Sequence, residues 1–451
     1  MKLGSTPLSI KDSLWSCIRS VAASHREEIV ENPEKDFTRN RQWTLEKVLR
    51  FLIFMGSKNL QTELDDFSGF NEGETPSLQS FYPQRDKLKE NATEVVFHEF
   101  TDRIEPSLYL GKYILTAVDG SSFTTFYNPN DETTFTRTKE DRRGFNEIHL
   151  ITTYRVQDRI YTDAVIQPLK GKNEYEAFCT LMDRAPQTEG KYLYLADRGF
   201  CSYNTIAHAL NNNAFFLIRA KERFCKGLLG KGNMPTTPEF DVRVSRTVVR
   251  HQRKKKYRNQ DALDSYRYVT RKTTFDYIEP SSQEEYTMEV RVVRLQVPNA
   301  KEGEDKYEYL VTNLPEDEFD LDDLCDLYHE RWRIETSFRE FKHDLGATDF
   351  HAKSVKNAVL EIWGKLVLYN ATSLINSLVK IKVREGSERE YQLNFAQAIK
   401  TSRRFLIAKP GQEPFRDILG KLEKFKQKVV KDRKFPRRKT SRKPLTFLGR
   451  H

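Results

Sequence analysis

Tyr328-His-Glu-Arg331-Trp-Arg-Ile-Glu335-Thr-Ser-Phe-Arg-Glu-Phe-Lys342 sets a carboxylate between an aromatic hydroxyl and two cations at helical spacing. At about 100° per residue, with Tyr328 as zero, Arg331 falls near about −60°, Glu335 near about −20° and Lys342 near about −40°. The four share one narrow stripe. Leu324, Leu327, Ile334, Phe338, Phe341 and Leu345 fall between about −40° and −140° on the same wheel, which marks the buried face of a helix from Leu321 to Leu345. The polar four therefore line the edge of that face, where the helix meets the rest of its domain. A half-buried Glu there needs a partner, and a divalent metal ion is one. A plain ion pair between Arg331 and Glu335, four residues apart, is the bland alternative.

Composition narrows the partners. The 451-residue chain is long enough for two or more domains. A formal charge of +10, a pI of about 9.1 and a mean hydropathy of −0.70 favour a polyanionic partner, and nucleic acid is the expected one. Cys17, Cys179, Cys201, Cys225 and Cys325 are scattered without a CxxC pair, which points away from a disulfide framework or a zinc site and fits a reducing compartment. The N-terminal run lacks an uninterrupted apolar segment, and no window reaches the ~20 apolar residues that span a bilayer. The expectation is a cytoplasmic protein without membrane contact.

Residues 1–105 read as a helical, DNA-binding N-terminal region, with apolar periodicity in Leu14-Trp15-Cys17-Ile18-Val21 and in Trp43-Leu45-Val48-Leu49-Leu52-Ile53. Within it, the punctuated segment Pro76–Leu88 opens a basic helix that is a candidate DNA contact. Residues 106–225 change to strands: Tyr113–Asp119, then Ile148–Arg155 and Arg159–Ile166 as a hairpin, then a helix near 174–184, a strand Lys191–Asp197, a helix near 203–211 and a strand Ala214–Arg219. The order βββαβαβ predicts an α/β fold, a ribonuclease-H-like mixed sheet flanked by helices. Residues 226–305 interrupt it as an inserted β subdomain carrying the basic run Arg250–Arg258. The core resumes over 306–380, beginning with Lys306–Asn313, and 381–451 form a helical, basic C-terminal region ending in the tail Lys431–Lys443.

Asp119 and Asp197 each close an apolar strand and each precede a turn-like run, which places both at one edge of an open sheet if their strands are neighbours. Glu335 on a helix over that edge would complete three carboxylates able to hold two divalent ions about 3.5 to 4 Å apart. Hard oxygen donors suit Mg²⁺ or Mn²⁺. One ion would activate water or a 3′-hydroxyl and the other stabilise the leaving oxygen, with Arg331 and Lys342 fixing phosphates. Taken singly, a strand-end Asp before Gly is more often only a turn residue.

With these residues in view, the chain resembles the DDE transposases of the insertion-sequence-4 type, whose signature Tyr-x2-Arg-x3-Glu-x6-Lys is met by Tyr328, Arg331, Glu335 and Lys342. Ala-Val-Asp119-Gly-Ser-Ser and Leu-Ala-Asp197-Arg198-Gly-Phe-Cys-Ser-Tyr are similar to that family's two aspartate motifs, and the resemblance runs over about residues 75–375. It implies that Asp119, Asp197 and Glu335 are catalytic metal ligands for Mg²⁺ or Mn²⁺. It further implies that Tyr328, Arg331, Lys342 and Arg198 contact double-stranded DNA, and that a homodimer joins two transposon ends. A β insertion before the Glu is also a family trait. The implied reaction is hydrolytic cleavage at inverted-repeat ends followed by strand transfer into target DNA. The alternatives are a non-catalytic DNA-binding descendant and a metal-dependent endonuclease without strand transfer. One departure stands out. Members that cut through a hairpin hold a flipped base with aromatic side chains, among them a tryptophan in the insertion, whereas here Trp15, Trp43, Trp332 and Trp363 all lie outside residues 226–305. Tyr257, Tyr266, Tyr268, Phe275 or Tyr277 would have to stack instead. The C-terminal helices after Ala358 are the expected dimer contact.

Overall fold

The computed structural model describes residues 4, 6–39, 41–69, 76–137, 143–230, 233–251, 265–297, 305–382 and 391–429. Its centre is the apolar, β-rich run at Tyr113, which forms β1 (Tyr113–Thr125), a strand of 13 residues. The short β2 (Phe135–Thr136) leads to β3 (Phe145–Arg155) and β4 (Ile160–Pro168). β3 lies antiparallel to β1 on one side and to β4 on the other, while β5 (Lys191–Ala196) and β6 (Phe215–Ala220) continue parallel on the far side of β1. The order β4-β3-β1-β5-β6 is the ribonuclease-H-like arrangement expected from the sequence, with α7 (Glu174–Asp183) and α8 (Tyr203–Asn211) as the crossover helices.

The inserted segment does not stand apart from this sheet. β7 (Phe240–Val249), β8 (Tyr266–Tyr268), β9 (Glu285–Gln296) and β10 (Tyr307–Thr312) extend it in the order β6-β10-β9-β7-β8, giving one 10-stranded sheet. Much of the basic run at 250–258, the whole tail from Lys431 and Tyr257 lie outside the described residues.

Period-2 alternation divides the sheet between two apolar layers. Ala117, Phe123 and Leu195 face one layer, Val118, Ile151 and Ala196 the other. The first layer is the larger. It joins the N-terminal helices α1 (Pro7–Ser24), α2 (Arg26–Ile29), α3 (Leu45–Phe54), α4 (Leu60–Ser68), α5 (Leu78–Arg85) and α6 (Ala92–Thr101) to the signature segment. The second holds α7, α8 and α9 (Glu222–Leu229). Arg85, offered to DNA by the sequence, is instead buried against Glu361 at 3.8 Å.

The signature segment is helical, but not the uniform helix Leu321–Leu345 of the wheel. It forms α10 (Leu321–His329) and α11 (Trp332–Arg339), with a π-turn at Glu340–Asp344. Between α10 and α11 the bonding tightens to i→i+3, Arg331 N–H donating to Tyr328 O at 3.1 Å and Ile334 N–H to Arg331 O at 3.2 Å. After α11 it widens, Leu345 N–H reaching Glu340 O at 3.0 Å. The six apolar residues of the wheel are nonetheless all buried, as expected. α12 (Val355–Ser377) is buried all round from Asn357 to Ile375, against α3 and α6, with α13 (Phe395–Ile407) and α14 (Ile418–Glu423) beyond it. A helix buried on every face is a spine rather than an interface, so α12 itself is not the dimer surface suggested by the sequence.

Candidate active site

Asp119 does not end its strand. β1 runs on through Gly120-Ser-Ser to Thr125, and Asp119, Gly120 and Ser121 pair with Thr152, Ile151 and Leu150 of β3. The turn-like glycine serves close approach instead: a Cβ on Gly120 would sit 2.7 Å from the His149 Nε2. Asp197 does follow its strand, and Phe200 N–H closes the turn on its carbonyl at 2.9 Å. The last parallel pair is Val118 with Ala196, so Asp119 and Asp197 come next, side by side. By alternation with Ala117 and Leu195 both belong to the face that carries the signature segment.

α11 packs over β1 on that face. Arg331, buried at the junction of α10 and α11, donates from Nη2 to Glu335 Oε1 at 2.8 Å, and its Nη1 lies 3.9 Å from Asp119 Oδ2. Burial pushes the Asp119 carboxyl up from 3.8 to about 6; Glu335 and Asp197 push the same way, while the Gly120 N–H and Arg331 pull it down. Asp119 therefore feels both of the other carboxylates, with Arg331 as its counter-charge. Among the described residues no three His, Cys, Asp or Glu side chains stand together as a formed metal cage. Tyr328 lies beneath, buried, its phenol raised by burial and by Asp197 and Glu308 against Arg331 and Arg219. Its hydroxyl and the Arg331 Nε are both buried without a hydrogen-bond partner. Two unsatisfied polar groups at one site cost about 1–3 kcal/mol each, so an outside partner is called for.

Lys342 sits differently from the other three members of the stripe. Its Nζ donates to Ser122 O on β1 at 2.7 Å and lies 4.7 Å from the Phe123 ring centroid, and burial pulls the ammonium down. It ties the end of the signature segment to the strand of Asp119. Arg198 is half exposed beside Asp197, with Asp305 at 3.6 Å.

The aromatic side chain that sequence reasoning passed over is Trp332, 49% exposed, with the Arg331 guanidinium 5.0 Å from its ring. Trp15, Trp43 and Trp363 are all buried. Of the insertion's aromatics, Phe275 is buried, Tyr277 packs on His208 and Tyr286, Tyr266 is half-buried and Tyr268 is exposed. The signal for Trp332 was present in the sequence: a lone large aromatic flanked by two arginines.

The chain matches the family described as Transposase DDE domain over residues 110–371, from just before β1 to late in α12. Among curated proteins it is similar to the transposase InsG for insertion sequence element IS4 of Escherichia coli (strain K12), 28% identical over 123 residues. That match covers 26% of this chain and 27% of the relative, so it spans well under two thirds of InsG. Among solved structures it is similar to a piggyBac transposase synaptic complex with hairpin DNA, with a TM-score of 0.44 and 11% identity over 93% of this chain and 85% of that one. No helix among the described residues is long and apolar enough to cross a membrane. The match over 110–371 takes in both aspartates and the whole signature segment, and this chain belongs to the DDE transposase family, of the insertion-sequence-4 type.

Proposed function

We propose that the chain is a transposase that binds the inverted-repeat ends of an insertion sequence, cleaves them, and transfers the 3′ ends to target DNA, working as a homodimer in the cytoplasm. The observation that carries this reading is the neighbouring register of Asp119 and Asp197 on parallel strands, with Arg331 reaching both Asp119 and Glu335 on the same face. The donors are all carboxylate oxygens, and the ionised Asp119 is disfavoured by burial first and by Glu335 and Asp197 in addition, which calls for positive charge; Mg²⁺ or Mn²⁺ held by Asp119, Asp197 and Glu335 fits. When bound, such ions supply activation of a water or 3′-hydroxyl and charge neutralisation at the leaving oxygen.

The remaining work falls to side chains of this protein. Arg331 Nε and the Tyr328 hydroxyl are buried donors without acceptors, and a phosphate oxygen supplies acceptors for both. Arg198, half exposed next to Asp197, adds a second cation along the DNA backbone. Trp332 presents an exposed aromatic face beside Arg331 on which an unstacked base can lie.

The test is incubation of DNA carrying the element's flanking inverted repeats with Mg²⁺ or Mn²⁺, comparing the native chain with Glu335→Gln. Nicking at the repeat ends by the native chain, and binding without nicking by the variant, is the expected result. Binding without cutting by both would instead favour a non-catalytic DNA-binding protein.

A further inference from the structure

Of the three glutamates in the signature segment, Glu330, Glu335 and Glu340, the structure treats the last two oppositely. Glu335 is 36% exposed at the side chain and faces Asp119 through Arg331; Glu340 is 7% exposed and faces away. Glu340 Oε1 lies 3.0 Å from Arg159 Nη2, and Oε2 accepts the Tyr369 hydroxyl at 2.8 Å. Arg159 is itself held. It occupies the turn between β3 and β4 with a left-handed φ of 56°, and its carbonyl accepts the Ser373 hydroxyl of α12 at 2.7 Å. One turn earlier, Ser337 Oγ donates to Ile334 O at 2.8 Å, which leaves the Tyr161 hydroxyl of β4 to donate to Ser337 Oγ at 2.9 Å.

Glu340 is also where the backbone changes from α to π, with Leu345 N–H bonded to Glu340 O and, at 3.1 Å, Ala347 N–H bonded to Phe341 O. A π-turn takes up one residue more than an α-turn. Without it, the residues beyond would be carried round by about 100°. Lys342 lies within the π-turn, two residues past its start, so closing the turn to α pitch would swing its side chain round the axis and away from Ser122 O, three residues past Asp119.

We propose that Glu340 is a positioning residue: the pairing of its buried carboxylate with the half-exposed Arg159 and the buried Tyr369 fixes the π-turn, and the π-turn keeps Lys342 fastened to β1, so that Glu335 and Asp119 hold their relative places. Glu340 touches neither DNA nor the reacting groups. Its effect on cleavage rests on the transposase reading given above; its effect on Lys342 does not.

The experiment uses the full chain and amine acylation read residue by residue by mass spectrometry, with the exposed Lys226 as internal reference. Glu340→Gln keeps an acceptor for Tyr369 but turns an N–H donor toward the Arg159 guanidinium, so the π-turn is released. Acylation of Lys342 should rise by at least about tenfold, the factor expected when a local contact loses about 1.4 kcal/mol, while Lys226 is unchanged. Tyr369→Phe deletes one hydroxyl and should raise Lys342 acylation less, in the same direction; it also serves if Glu340→Gln does not fold. With repeat-end DNA in Mn²⁺, both variants should lower kcat for nicking more than they raise KM. A folded variant with native Lys342 protection overturns the proposal. Exposed Lys342 in a chain whose native form never nicks DNA supports the positioning role and counts against the transposase reading.

Discussion

Asp119→Asn should make the metal-free protein more stable at alkaline pH. In the folded chain the Asp119 carboxyl is raised from 3.8 to about 6, mainly by burial, with Glu335 and Asp197 adding to it. Its folded value lies above its unfolded one, so the folded state takes up the proton first. The stability linked to that proton is fully present below about 3.8 and is lost as pH rises through about 6. A shift of about two units corresponds to about 3 kcal/mol of strain from the ionised form at pH 8. Asparagine removes it while keeping an oxygen for the Gly120 N–H, which bonds Asp119 Oδ1 at 2.8 Å. The Arg331 attraction across 3.9 Å is already contained in that net shift, and solvent screening of the partly exposed carboxylate reduces the gain to about 1–2 kcal/mol. For a chain of this length that is a rise in Tm of about 1–2 °C. The assay is thermal unfolding in chelator from pH 5 to pH 8.5. By pH 5 the advantage should shrink by about 1.4 kcal/mol, because the native carboxyl is then largely protonated. A variant that melts below the native chain at pH 8, or gains the same amount at pH 5 and pH 8, refutes the assignment of strain to the ionised Asp119. Stabilisation on neutralising a site residue is the mark of a site built for something other than folding.

Three further outcomes are expected. Trp332 is the exposed tryptophan while the other three are buried, so acrylamide quenching should report mainly on it; duplex DNA should reduce that quenching, and Trp332→Phe should abolish the change with Tm held within about 1 °C. His208 lies 2.9 Å from both Asp183 and Asp276, and although burial pulls its pKa down, the hydrogen bonds that the imidazolium donates to Asp183 and Asp276, with Cys179 beside it, outweigh it and raise it to about 10. Its contribution is then fully present below 6.5 and lost as pH rises through about 10, so His208→Gln should cost about 1–2 kcal/mol in urea unfolding at pH 7, the partners being half exposed, and little above pH 10.5. Gly364→Ala on α12 would place a Cβ 2.8 Å from Leu52 O of α3, and should cost about 1–3 kcal/mol, seen as a lower urea midpoint; an unchanged midpoint would mean that the two helices separate easily.

The parts of this fold that the sequence discloses are those governed by a local period. The strands around Ala117 and Leu195 and the buried stripe of Leu324 to Leu345 follow from periods of two and 3.6, and the structure buries them as expected. What it conceals depends on partners distant in the chain. Gly120-Ser-Ser has the composition of a turn, yet it is strand because β3 pairs with it and His149 needs the room a missing Cβ leaves. The alternating strands of the insertion announce their faces but not their neighbour, so their joining to β6 through β10 could not be read from periodicity. The two glutamates carry the same lesson into the candidate site. A uniform wheel treats residues 335 and 340 alike except for angle. Arg159, 181 residues earlier, draws Glu340 inward, widens the turn there and sets Lys342 on β1. The carboxylate that meets Asp119 is thus selected by the burial of the other: once Glu340 is committed to Arg159 and Tyr369, Glu335 is left on the face where Arg331 and the two aspartates converge.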